Sequence, residues 1–143
     1  MRKISVIYLF LLGFILSASL QSCNSKEKDI EVLKDEVISI HDEVMPRMDE
    51  LMRLKGELKE MQNTLDSTAT QESKREIIRH ITSLNKADEE MMNWMRKYDP
   101  QMENKSEQEK LDYLESQKIA IKMVRQEMLS AIAQSEEFLK NNN

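Results

Sequence analysis

The stretch IEVLKDEVISIHDEVMPRMDELMRLKGELKEMQNTL, residues 30–65, decides the fold. Its apolar residues recur mostly at spacings of three and four, the period that places side chains on one face of an α-helix. They are Ile30, Leu33, Val37, Ile40, Val44, Leu51, Leu54, Leu58, Met61 and Leu65. Arg47 interrupts this seam, and the neighbouring Pro46 removes one backbone hydrogen bond and bends a helix axis. We therefore expect one helix over about 26–66, kinked near 41–44 without a break.

Two further helices are predicted downstream. The second helix covers about 70–98, with Thr70 as its cap, and Asp99-Pro100 ends it because the residue before a proline resists helical geometry. The third covers about 106–140 and opens with Ser106-Glu107-Gln108-Glu109, the pattern of a capping box. Short loops make consecutive helices antiparallel, so the sequence predicts an all-α fold, an elongated antiparallel up-down-up three-helix bundle. A single extended helix that trimerises, as in the murein lipoprotein, is the alternative architecture.

The composition restricts the class of function. The chain has 26 acidic and 21 basic residues, evenly mixed, with a formal net charge of −5. Nucleic-acid binding would need a basic face, so we expect no nucleic-acid partner. The sequence has no glycine-rich phosphate loop, no nucleophile with a positioned base and no paired-cysteine metal motif. We predict that the protein is not an enzyme and that it has no catalytic residues.

The amino-terminal segment has the pattern of an export signal. Arg2 and Lys3 precede the uncharged run Ile4–Leu20, and the chain's one cysteine, Cys23, follows directly in Leu20-Gln21-Ser22-Cys23. A basic end, an apolar run and a small residue before the cleavage point are typical of a secretory signal. The four residues 20–23 resemble the lipobox of bacterial lipoproteins, in which the matching cysteine becomes the acylated amino terminus. The resemblance implies a signal peptide over 1–22, lipidation at Cys23 and a short tether over 23–29.

Two other interpretations of this segment compete with lipidation. An uncleaved anchor would need about 20 mostly apolar residues, whereas the outer end of this run is polar. Cleavage by an ordinary signal peptidase near Ser17-Ala18-Ser19 would leave Cys23 as a lone free thiol, which is unusual in a secreted chain. Lipidation therefore remains the preferred interpretation, and it attaches the protein to a membrane surface without spanning it.

The residues after Cys23 bear on location. Lipoproteins of the best-known sorting system remain in the inner membrane when an aspartate follows the cysteine, and here that residue is Asn24. We therefore expect a lipid-anchored protein of the bacterial outer membrane. A charged stretch after the cysteine directs some lipoproteins of Bacteroidota to the cell surface, and the charged residues 26–29 keep both the periplasmic and the surface-exposed orientation open.

A methionine-rich band is the strongest candidate for a ligand site. His41, Met45, Met48 and Met52 are spaced by four, three and four residues and share one helix stripe. Antiparallel pairing puts them opposite Met91, Met92, Trp94 and Met95. Methionine fills irregular cores, and this is the preferred interpretation. The alternative is a Cu(I) or soft-metal site built from His41, Met45, Met48, Met91 and Met95, since thioether and imidazole ligands select Cu(I).

The sequence also predicts an interhelical ion pair, a core histidine and a second apolar strip. Arg47 and Asp88 both intrude on apolar seams and should meet as a partly buried ion pair that fixes the register of the first two helices. His80 falls between apolar residues and is expected to be a structural core histidine. Ile119, Met123 and Leu129 lie outside the main face of the third helix, where they could bind a partner protein or a second subunit, or be isolated surface residues.

The segments HDEVMPRM, residues 41–48, and ADEEMMNWM, residues 87–95, behind a lipobox resemble small helical lipoproteins of Bacteroidota. Proteins of this kind carry the label "viral A-type inclusion protein". The resemblance implies location and fold without an activity. The sequence as a whole therefore predicts an envelope lipoprotein with a structural or protein-interaction role and no cofactor, with a Cu(I)-binding or metal-buffering lipoprotein as the alternative.

Overall fold

The computed structural model describes residues 21–65 and 70–142, and this part of the chain forms four α-helices and no strand. They are α1 (Gln21–Val44), α2 (Arg47–Thr64), α3 (Gln71–Lys97) and α4 (Glu107–Asn142). Helices α1 and α2 follow one another as a single rod, so the molecule has three rods, and the predicted all-α three-helix bundle is confirmed. The predicted signal segment up to residue 20, and residues 66–69 of the predicted turn, lie outside the described residues.

The first rod is interrupted where the sequence predicted only a kink. Helix α1 ends at Val44 and α2 begins at Arg47, because Pro46 has no amide hydrogen for the carbonyl of Asp42. The backbone around the gap stays helical: Met45 N donates to His41 O at 2.9 Å, and Pro46 has φ −62° and ψ −19°. The apolar seam consequently continues in phase, with Val44 and Leu51 both fully buried on either side.

The segment predicted as a short tether, residues 23–29, is part of α1. Its residues, CNSKEKD, include neither glycine nor proline, so nothing in the backbone prevents the helix from extending towards Cys23. Helix α1 therefore already includes the candidate lipidation position.

The predicted helix ends are present. Thr70 Oγ1 accepts a hydrogen bond from Ser73 N at 3.1 Å and caps α3. The capping box before α4 is reciprocal, since Ser106 N donates to Glu109 Oε2 at 2.7 Å and Glu109 N donates to Ser106 Oγ at 3.4 Å. Helix α3 ends at Lys97, three residues before Pro100, as the sequence predicted.

Interhelical ion pairs show the relative directions of the three rods. Three of them join the first rod to α4, namely Glu36–Lys118, Glu43–Arg125 and Arg53–Glu136. The partners differ by 82, 82 and 83 in residue number, so α4 runs parallel to the first rod and the register is kept across Pro46. Helix α3 runs antiparallel to α4, as the Lys86–Glu127 pair and the packing of His80 on Phe138 require. This is the up-down-up order that the loops predicted.

The core is the apolar seam of the three rods. Fully buried side chains include Val37, Leu51, Leu54 and Leu58 of the first rod, Ile77, Leu84 and Met91 of α3, and Leu114, Ile121, Met128 and Ile132 of α4. Burial of each such side chain contributes about 1.5–3 kcal/mol, so packing of these seams is what stabilises the fold.

Candidate functional site

Aromatic rings connect all three rods near one end of α3. The His41 ring lies 5.6 Å from the Trp94 ring, centroid to centroid, and Trp94 stacks on Tyr98 at 4.9 Å. Tyr98 is 6.4 Å from Tyr113 of α4, and Lys105 Nζ lies 5.7 Å from the centre of the Tyr113 ring. Such contacts are worth about 0.5–1.5 kcal/mol each beyond the area they bury. The stack thus fixes the level at which His41 faces α3.

Sequence reasoning missed the two tyrosines of this stack. Tyr98 caps α3, and Tyr113 lies beside the apolar face of α4, so neither belongs to a helical period that would single it out. Tyr113 also accepts a hydrogen bond from Asp99 N at 2.7 Å, which ties the α3–α4 loop to α4. Burial raises the pKa of Tyr98 above its ordinary value.

The α3–α4 loop closes this end of the bundle. Asp99 Oδ1 accepts hydrogen bonds from Gln101 N and Met102 N, both at 3.1 Å. Met102 and Asn104 have positive φ angles of 49° and 63°, and the Met102 side chain is buried. Met102 is therefore a buried residue contributed by the loop.

The structure places the candidate metal residues on both sides of the seam between the first rod and α3. His41 is one-fifth exposed, and Met45 and Met48 are partly buried against the core. On α3, Met91 is fully buried, whereas Met95 is 38% exposed. The predicted set therefore occupies three environments: the core interior for Met91, the seam for His41, Met45 and Met48, and the surface edge of the seam for Met95.

The outer methionines of the band are surface residues. Met52 is 54% exposed and Met92 is 40% exposed. Across residues 21–65 and 70–142, no three His, Cys, Asp or Glu side chains come close enough together to hold a metal ion. Any soft-metal site in this region would consequently depend on thioether sulfurs and one imidazole.

The predicted register ion pair between Arg47 and Asp88 is wrong. Arg47 Nη2 binds Glu50 Oε2 at 2.7 Å within α2, and Lys55 Nζ instead reaches Asp88 Oδ2 at 3.2 Å. Glu50 also neighbours Glu136 of α4, whose pKa is raised chiefly by its hydrogen bond with Glu50. The guanidinium of Arg47 is thus drawn towards α4 and away from α3.

Lys55 takes the role that was assigned to Arg47. The Lys55 side chain is 11% exposed and that of Asp88 is 27% exposed, so this is a partly buried interhelical pair of the expected kind with a different cation. Lys55 lies eight residues, about 12 Å, beyond Arg47 along the first rod, so at Asp88 the register between this rod and α3 differs from the one that the sequence predicted.

His80 is a core histidine, as predicted. It is 5% exposed, its ring stacks on Phe138 at 4.6 Å, and its Nδ1 lies 3.4 Å from Ser135 Oγ. Burial is the main cause that lowers the pKa of His80, and the neighbouring Arg79 lowers it further. The neutral ring is therefore favoured in the folded protein.

The three apolar residues predicted to form one partner-binding strip on α4 do not share one face of the helix. Ile119 and Met123 are each 60% exposed and, at about 100° per residue, lie only about 40° apart around the helix. Leu129 is 37% exposed and lies about 120° from Met123, so it belongs to a different face. Only Ile119 and Met123 form a common apolar patch.

Met123 also lines the groove between α3 and α4. One part of this groove, of about 410 Å³, is bordered by Ser83, Lys86 and Ser130. The next part, of about 370 Å³, extends to Trp94 and Lys97. The groove is long, shallow and mixed in polarity, a shape suited to an extended or helical polypeptide segment.

None of the described helices is both long and apolar enough to cross a membrane. Comparisons with protein-family models, with curated proteins and with solved structures found no match to the chain. The site is accordingly interpreted from its own residues.

Proposed function

We propose that the protein is a bacterial envelope lipoprotein, anchored in the outer membrane through acylated Cys23, whose helical bundle binds a partner protein. The observation that carries this proposal is the order of the sequence: a basic end, an apolar run, Leu20-Gln21-Ser22-Cys23, and then a helix of the bundle. More than one acyl chain is needed for stable anchoring, and acylation at a lipobox cysteine supplies this.

The directions of the rods determine which end of the bundle would lie at the membrane and which end would point away from it. Because α4 runs parallel to the first rod, the α3–α4 loop lies at the same end as Cys23. The carboxy-terminal ends of α2 and α4 and the amino-terminal end of α3 lie at the opposite end. The first rod from Gln21 to Thr64 is about 66 Å long at 1.5 Å per residue. An anchored bundle would thus extend well beyond the lipid headgroups.

The patch of Ile119 and Met123 is the surface we assign to the partner. Two large apolar side chains that are mostly exposed beside a groove are typical of helix-in-groove recognition, in which an amphipathic helix supplies the apolar contacts. Lys86, Glu127 and Lys97 border the groove with charges of both signs, which suits a partner helix with a mixed polar edge.

Metabolic labelling with a palmitate analogue in a bacterial host tests the anchor. We expect the wild-type chain to incorporate label and the Cys23→Ala variant to incorporate none, because acylation requires the cysteine. Ser22→Ala is the matched control, since it keeps a small residue before the cysteine and should still be labelled. Label in the Cys23→Ala protein would refute lipidation.

Site-specific photocrosslinking in intact cells tests the partner surface. A crosslinker at Gln126, which borders the groove, should capture one protein reproducibly, and Met123→Glu should abolish that capture. Met52→Glu is the control, because Met52 is similarly exposed but lies on α2. Capture that is unaffected by Met123→Glu, or lost equally with Met52→Glu, would count against this surface.

A further inference from the structure

We propose that His41, Met45 and Met95 form a Cu(I) site on the seam between the first rod and α3, closed on its inner side by Trp94. This site does not depend on the lipid anchor or on the partner surface. It uses three of the methionine-band residues and excludes Met48 and Met91.

The orientation of His41 leaves one ring nitrogen for a metal. His41 Nδ1 lies 2.9 Å from Asp42 Oδ1, a distance at which the imidazole N–H donates to the carboxylate. In the neutral tautomer that makes this hydrogen bond, the proton is on Nδ1 and Nε2 carries the lone pair. Metal-binding histidines usually have such a carboxylate on the second nitrogen, which fixes the ring and raises the basicity of the ligand atom.

Helix geometry brings Met45 towards His41. The two residues are four apart, and Met45 N donates to His41 O, so both lie on one face of a continuous helical turn. Side chains of a helix lean towards its amino terminus, which carries the Met45 thioether towards the imidazole. Met48 is seven residues from His41, about 10.5 Å along the axis, against about 6 Å for Met45.

The antiparallel helix α3 supplies the third ligand. The contact between His41 and Trp94 sets the register, so Met95, next to Trp94, lies at the level of His41. Because α3 runs in the opposite direction, the lean of Met95 towards its own amino terminus carries it towards the level of Met45. Met91 occupies the next turn but is fully buried, and its thioether packs in the core.

The chemistry of this set selects a soft monovalent cation. Two thioethers and one imidazole suit Cu(I), whereas Mg²⁺ and Ca²⁺ require several oxygen ligands, and Asp42 supplies only one nearby carboxylate. The Trp94 ring is 7% exposed and contacts the His41 ring, so it closes the inner side of the site. Met95, at 38% exposure, leaves an entry path from solvent.

The test is a Cu(I) titration of the full chain in detergent, with Cys23→Ser as the common background so that the thiol cannot bind the ion. Cu(I) is supplied with excess ascorbate in competition with a colorimetric Cu(I) chelator. Trp94 is the only tryptophan, so its fluorescence reports the site directly. We expect one equivalent of Cu(I) to bind and to quench this fluorescence.

Variants distinguish this site from general thioether binding. Met45→Leu, Met95→Leu and His41→Gln should each weaken binding about tenfold or more. Met48→Leu and Met52→Leu are the matched controls and should leave the affinity unchanged. Met95 is a surface residue, so its leucine variant should keep the wild-type helical circular dichroism.

Two results would overturn the assignment. The first is an absence of binding that competes with the chelator. The second is binding that persists in the Met45→Leu and Met95→Leu variants, or that Met52→Leu weakens to the same extent.

Discussion

Replacing Pro46 by alanine should stabilise the protein by about 1–2 kcal/mol. In the native chain the carbonyl of Asp42 lacks the helical partner that an amide at position 46 would provide, and α1 and α2 are separate for this reason. The backbone angles of residue 46 are already helical, so alanine fits without rearrangement. The pyrrolidine ring is exposed, and its loss removes no core packing.

The magnitude follows from two opposing terms. Proline costs about 3 kcal/mol relative to alanine inside a helix, and the interruption of the hydrogen-bond ladder already relieves part of that cost. Proline also restricts the unfolded chain, so its removal destabilises by about 0.4–1 kcal/mol. The net gain of about 1–2 kcal/mol corresponds to a Tm increase of roughly 4–8 °C for a domain of this size.

The assay is urea and thermal unfolding followed by far-UV circular dichroism, with Pro100→Ala as the matched control. Pro100 lies outside any helix in the α3–α4 loop, so its replacement should only loosen the unfolded chain and destabilise by about 0.4–1 kcal/mol. The two substitutions are thus expected to have opposite signs. If Pro46→Ala destabilises as Pro100→Ala does, the missing amide does not explain the interruption between α1 and α2.

Three further predictions concern the core, helix propensity and pH. Leu54→Ala should lower the free energy of unfolding by about 2–5 kcal/mol in a urea titration, because this side chain is 1% exposed. Met52→Ala on the adjacent surface is the control and should lower it by less than about 0.5 kcal/mol. Gly56→Ala should stabilise α2 by about 1 kcal/mol, since a Cβ at this position meets no atom within 4 Å; a loss of stability would reveal a contact that this geometry lacks. The free energy of unfolding should fall as the pH drops below about 6.5. Folding lowers the pKa of His80 from its ordinary value of 6.5, so on acidification the unfolded chain binds a proton at this residue before the folded chain does and is thereby favoured. His80→Leu should reduce that slope, and an unchanged slope would show that other groups cause it.

The sequence predicted most of the fold because the determining interactions are local. A helical period placed Val37, Leu54, Leu84 and Ile121 in the core, and all four are buried. Helix capping also depends on residues close in sequence, so the capping role of Ser106 was predicted from residues 106–109. Pro46 was recognised as a perturbation, and the seam continues in phase across it as predicted, but the helix is interrupted between Val44 and Arg47 where only a kink was expected.

Pairing across rods was harder to predict than burial. Lys55, and not Arg47, meets Asp88, because the register of the two rods at Asp88 differs by about two helical turns from the expected one and Arg47 binds Glu50 within its own helix. The pattern predicted that Leu129 shares a face with Met123, and the helical phase separates them.

For the candidate metal site, the sequence by itself determined which residue types gather at one level of the bundle, since a stripe of His41, Met45 and Met48 follows from helical spacing alone. Only the tertiary structure decided that Met91 enters the core, that Met95 stays at the surface edge, and that Trp94 contacts His41 and links it through two tyrosines to α4. The physical reason is that spacing sets the angle of a side chain around its own helix, whereas its depth depends on how closely the neighbouring helix approaches at that level.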